Sequence, residues 1–129
     1  MEPVSYNDLI GKPFEYDGRG PRAFDCYGLC VEMYKRLGKE LVEYQASGDF
    51  KEDSNSFNFG KKDFVQLEKP EPFCLVLLMI CKPFVSHIGV VLEDCKRFIH
   101  ICQKRFVCIE PLNDGRWKDR IDGFWKPNE

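Results

Sequence analysis

Two spacings of apolar residues divide the chain. From residue 26 to 37 they recur three and four apart, so that Leu29, Cys30, Met33, Tyr34 and Leu37 share one face. The spacing predicts a helix over 26–37. Asp25 suits its start, because a carboxylate there accepts from the open amides of the first turn. Gly38 supplies the stop. The preceding stretch holds Pro3, Gly11, Pro13, Gly18, Gly20 and Pro21. It reads as loop after a short helix near "SYNDLIG". Residues 39–70 are polar and irregular, and a connection this long is of the kind that gates a site.

Beyond residue 72 the runs become short, β-branched and aromatic: "FCLVLLMIC" (73–81), "SHIGVVLE" (86–93), "RFIHICQ" (97–103) and "RFVCIEPL" (105–112). Breaks at "KP", "EDCK" and "QK" are short enough for hairpins, which makes neighbouring strands antiparallel. "DGFWKP" (122–127) is expected to add an edge strand. A helix followed by an antiparallel meander of about five strands is an α+β layout. The whole of 1–129 is read as a single domain.

Composition narrows the classes of function. Hydrophobic residues make up 43% and charged residues 31%, a globular balance. The net charge of −2, with Lys and Arg scattered, gives no footprint for nucleic acid. The longest apolar run is too short to span a bilayer, so no membrane partner is expected. "MEPVSYNDLI" lacks a basic segment followed by an apolar one, and cytoplasmic synthesis without a signal peptide is the expectation. Seven cysteines, an odd number, argue for reduced thiols rather than a disulfide framework.

Among those cysteines, Cys26 stands apart. A thiol attacks as thiolate, and a helix N-terminus favours negative charge. The same amides can hold an oxyanion formed on a substrate carbonyl. Such a nucleophile needs a base, and the chain has two histidines, His87 and His100, both in expected strands. A hairpin turn near 94–96 leaves them offset by a few residues but able to share a sheet face. One would face Cys26 as base while the other orients the first imidazole. Against this stands the ordinary reading of Cys26 as a packing residue and of each histidine as a satisfied core side chain. A metal module of Cys95, His100, Cys102 and Cys108 is disfavoured, because the paired C-x-x-C spacing is absent and Cys95 falls outside the strand. No metal or cofactor is expected.

Three blocks together carry a resemblance. "FEYDGRGPRAFDCYGLC" (14–30) is similar to the glycine loop and Asp-Cys-Ser-Gly-Leu helix start of the NlpC family of papain-like cell-wall cysteine peptidases. "SHIGVVL" (86–92) looks like that family's His-x-Gly strand, and "FIHI" (98–101) like the strand with the third residue. The resemblance implies a papain-like core, with the nucleophile helix packed on an antiparallel sheet. It implies Cys26 as nucleophile, His87 as base and His100 as orienting group. It also implies hydrolysis of amide bonds in peptidoglycan stem peptides, such as that between D-glutamate and a diamino acid. "DGRWKDRIDGFWKP" near the end, with the start, resembles peptidases encoded with phage tails, which implies phage tail proteins as partners and carriage in a phage-like particle.

The sequence departs from the family at several positions. A Tyr common twelve residues before the Cys is Phe14 here, and Tyr16 is the nearby hydroxyl. Tyr27 replaces the small residue after the nucleophile. Tyr16, Asp25, Tyr27 and Ser86 are the candidate substrate-binding residues. The competing readings are a structural or assembly protein of a phage tail that keeps the fold without the chemistry, and an acyl- or thioesterase using the same three residues.

Overall fold

The computed structural model describes residues 4–42, 63–102 and 105–128. One helix, α1 (Cys26–Arg36), packs on a sheet of six strands: β1 (Phe64–Leu67), β2 (Leu75–Leu78), β3 (His87–Val91), β4 (Arg97–His100), β5 (Cys108–Pro111) and β6 (Ile121–Pro127). Their order is β1-β6-β2-β3-β4-β5, antiparallel throughout. This is the expected α+β arrangement. No helix among the described residues is long and apolar enough to cross a membrane.

The helix forms where the spacing put it. Asp25 is extended, and its Oδ1 accepts from the Gly28 amide at 2.5 Å. Leu37 caps the other end, and Gly38 takes φ +78°, a left-handed conformation that glycine adopts without penalty. The face with Leu29, Cys30, Met33 and Tyr34 is buried against Leu75, Leu77, Ile88, Val90 and Ile99. Each such aliphatic side chain removed from water stabilises the fold by about 1.5–3 kcal/mol. The opposite sheet face carries Val76, Leu78, Val91 and Phe98, covered by Leu112 and Trp117. Both faces are therefore dry, which explains why β2 and β3 read as unbroken apolar runs.

Two expectations need correction. The final strand is not an edge: β6 lies between β1 and β2 and pairs with both. The strand that makes it interior, β1, falls within the 39–70 stretch that reads as irregular. Its four residues are half-buried or exposed and carry no alternation to detect. The short helix near "SYNDLIG" is a single 3-10 turn, Asn7–Leu9. Of the proposed gate, residues 43–62 lie outside the described residues.

The β3–β4 hairpin turns where expected. Asp94 Oδ1 accepts from the Lys96 and Arg97 amides, and Cys95 sits at φ +59°. The ladder pairs Val90 with Ile99 and Val91 with Phe98. In that register His100 lies opposite Gly89, and His87 opposite position 102. The two histidines are thus diagonal neighbours on one face.

Candidate active site

Cys26 heads α1 and is 6% exposed. The loop before it is held against the helix start by backbone contacts. Asp25 donates its amide to the Gly18 carbonyl at 3.1 Å, and Arg19 reaches Asp25 Oδ1 at 2.8 Å. A Cβ on Gly28 would lie 1.9 Å from the Gly18 carbonyl oxygen, so only glycine lets the loop press on the first turn. One on Gly18 would meet Glu15 O at 2.8 Å and Phe24 Cα at 2.9 Å. Gly18 and Gly28 of "DGRGPRAFDCYGL" are there for this close approach. Burial pushes the Asp25 carboxyl up, opposed by the Gly28 amide and Arg19.

His87 opens β3, one of the strands on which α1 packs. Its Nε2 lies 2.8 Å from His100 Nδ1. His100 Nε2 lies 2.5 Å from Glu110 Oε2, which also accepts from Trp117 Nε1 at 2.8 Å. Arg116 pairs with the other oxygen of Glu110. Trp117 stacks on His87 with centroids 5.8 Å apart and meets His100 edge-on at 5.1 Å. Phe98 lies along His100 at 4.3 Å. Gly89 makes room for this, because a Cβ there would stand 2.9 Å from the Phe98 ring and 3.1 Å from His100 Cβ.

Hydrogen-bonding capacity fixes the protons. A carboxylate can only accept, so His100 donates from Nε2 to Glu110. Its Nδ1 is then an acceptor, and His87 donates to it from Nε2. His87 Nδ1 is left as a lone pair. The electrostatics agree with two neutral rings. Burial, and then the neighbouring His100, hold His87 well below the usual histidine range, against the pull of Glu110. Burial and Arg116 bring His100 down to about 4.

The structure brings His87 and His100 into direct contact, on the sheet face that carries Phe98 and Trp117, and sets Cys26 at the head of α1, which packs on the other face of β3. It adds Glu110, Trp117 and Arg116, which the sequence reading missed. The available signal was the single acid in the apolar run "FVCIEPL". Its meaning depends on the β5 register, which puts Glu110 opposite Phe98 and beside His100. Tyr16 is 48% exposed and edge-on to Phe14. Tyr27 is buried, with its hydroxyl donated to the Val42 carbonyl at 2.5 Å. Ser86 Oγ and Asp25 Oδ2 are buried without a hydrogen-bond partner among the described residues. Of the four residues considered as a metal module, His100, Cys102 and Cys108 gather on one face, while Cys95 stays in the hairpin turn.

No curated protein matches the chain. Solved structures do. An NLP/P60 protein of Bacillus cereus is 22% identical with a TM-score of 0.67, covering 96% of this chain and 40% of its own. A similar-to-lipoprotein NLP/P60 protein of Staphylococcus aureus is 20% identical with a TM-score of 0.65, covering 94% and 38%. The NlpC/p60 domain of the peptidoglycan hydrolase SagA is 16% identical with a TM-score of 0.61, covering 93% and 90%. The chain thus spans about two fifths of the first two proteins and most of the third domain. At these identities the likeness is one of fold. The profile of the NlpC/P60 family matches residues 11–126, nearly the full length, and the chain belongs to the NlpC/P60 family.

Proposed function

We propose that the chain is a cysteine peptidase that hydrolyses amide bonds in peptidoglycan stem peptides, with Cys26 as nucleophile, His87 as base and His100 as the group that orients it. The observation that carries this reading is the fixed proton chain from Glu110 through His100, which leaves a lone pair on His87 Nδ1 at the start of β3. A buried neutral imidazole so held is a base waiting for a proton. Cys26 heads α1, where main-chain donors favour an anion, and the reading requires its thiol to reach His87 Nδ1 around the first residue of β3, because α1 covers the other face of that strand. Family membership and the peptidoglycan hydrolase SagA support the substrate class.

In the reaction, His87 Nδ1 takes the Cys26 thiol proton and the thiolate attacks the scissile carbonyl carbon. The oxyanion gathers at the first turn of α1, with the Cys26 amide as a donor. Collapse breaks the C–N bond, and His87 gives its proton to the leaving amine. A thioester remains. Water then attacks it, losing a proton to His87, and the thiolate leaves and is reprotonated. Each imidazolium formed at His87 is stabilised through His100 by Glu110. Tyr16, exposed on the loop, and Ser86, next to the base, are the proposed substrate contacts. Asp25 and Tyr27 shape the cleft from behind, as cap and as anchor of the segment after α1.

The finer reading is an endopeptidase cleaving between D-glutamate and the diamino acid, carried with a phage tail, as the resemblance of both ends suggests. Digestion of purified muropeptides followed by mass spectrometry tests the core claim. Cleavage by the wild type and none by a folded Cys26→Ala variant is the expected result. Full activity in that variant removes Cys26 from the reaction. Absence of cleavage by the wild type, with Cys26 inert to iodoacetamide at neutral pH, favours the assembly-protein reading. Cleavage of acyl esters but not muropeptides favours the esterase reading.

A further inference from the structure

Beside the paired imidazoles stands a thiol for which the proposed reaction has no use. Cys102 Sγ lies 3.7 Å from His87 Nε2 and 3.8 Å from His100 Nδ1, the same two nitrogens that bond each other. The three atoms form a compact group of two imidazole nitrogens and one sulfur. We infer that His87 Nε2, His100 Nδ1 and Cys102 Sγ form a binding site for a thiophilic divalent cation, Zn²⁺ first among them, with one coordination position left open.

Geometry, donor chemistry and the surrounding hydrogen bonds each support the site. Zinc–nitrogen bonds of about 2.0–2.1 Å and zinc–sulfur bonds of about 2.3 Å, at tetrahedral angles, set nitrogen–sulfur separations of about 3.6 Å. The two observed separations stand within about 0.2 Å of that. The nitrogens, 2.8 Å apart, need to open to about 3.3 Å. The set of two imidazoles and a thiolate suits zinc and excludes calcium and magnesium, which demand oxygen.

The hydrogen bonds behind the site are those of a metal-binding histidine. A ligating imidazole commonly donates its other N–H to a carboxylate, which fixes its tautomer and raises its basicity. His100 does this already, with Nε2 on Glu110 at 2.5 Å. Its Nδ1 lone pair faces the group without rearrangement. His87 shifts its proton from Nε2 to Nδ1, with no change in proton count. Cys102 loses its thiol proton to solvent, so binding one cation releases one proton and tightens as pH rises. Cys102 is half-buried while both histidines are nearly fully buried, so the sulfur is the side from which a cation enters.

The cation and the histidine–histidine hydrogen bond use the same nitrogens and exclude each other. Loading therefore removes His100 from its orienting position on His87. The site thus shares two residues with the proposed reaction, but it is read by binding alone, so its failure and the failure of that reaction are distinguishable.

Cobalt(II) titrated into the full-length, metal-stripped protein is the probe, read by absorption. The expected result is one equivalent bound, with the visible bands of tetrahedral cobalt and a near-ultraviolet thiolate charge-transfer band, both erased by Zn²⁺. Cys26→Ala and Cys108→Ser keep the charge-transfer band, and Cys102→Ser loses it. Absence of the band in the wild type overturns the proposal, as does its survival in Cys102→Ser or its loss in either of the other two. Should Cys102→Ser fail to fold by circular dichroism, Glu110→Gln decides. A fall in cobalt affinity of about 10- to 100-fold at unchanged stoichiometry supports the site. Unchanged affinity refutes it.

Discussion

A single carboxylate sets the protonation of two rings. Glu110 can accept and cannot donate, so every proton between it and His87 Nδ1 has one allowed position. Glu110→Gln breaks that logic, because an amide both donates and accepts. With the tautomers free, kcat for muropeptide cleavage is expected to fall about 100-fold or more with KM little changed. Steady-state kinetics on one purified muropeptide measures this. Gly89 acts on the same group through space. In Gly89→Ala the new methyl collides with Phe98 and the His100 Cβ, costing about 1–3 kcal/mol in urea unfolding. Gly28→Ala is expected to cost more, since its obstacle is the backbone oxygen of Gly18 and cannot swing aside. Cys26, His87 and His100 could be named as candidates from the sequence because their residue types carry the chemistry, and strand alternation put Cys102 on the face of His100. Glu110 and Trp117 could not, because they meet the imidazoles only through the β5 register and the turn that follows it.

At the level of elements, α1 is the best specified. Its apolar spacing, its cap and its terminal glycine agree, and the structure follows them to within a residue. Asp25 contributes as cap and as partner of Arg19. Asp25→Ala is expected to lower stability by about 1 kcal/mol or more through loss of the cap. Asp25→Asn keeps an acceptor for the Gly28 amide and costs less. Urea midpoints of the two variants, side by side, separate capping from charge. The meander β2–β5 was equally readable, since its strands are apolar and its turns short. β1 was not, because a four-residue strand with exposed side chains leaves no periodic trace. Missing β1 made β6 look like an edge.

On the scale of the whole molecule, two buried neutral histidines make stability depend on acid. In the unfolded chain each protonates near pH 6.5, while in the folded protein His100 waits until about 4 and His87 until well below its usual range. The unfolded state therefore binds more protons as pH falls below 6.5. Stability is full above that value and declines between 6.5 and about 4, by up to about 1.4 kcal/mol per pH unit for each histidine. Asp25, whose carboxyl is pushed up by burial, works in the opposite sense at the lower end. Urea midpoints across this window, with a chelator present, are expected to fall steeply in the wild type and less in His100→Gln. The sheet order has its own consequence for how the molecule is made. As the chain leaves the ribosome, the hairpin bearing both imidazoles emerges before Ile121–Pro127, the strand that seals the far side of Leu75–Leu78. In that interval four consecutive apolar residues present an open row of main-chain donors and acceptors, a template on which a second nascent chain can pair before the protein's own closing strand arrives.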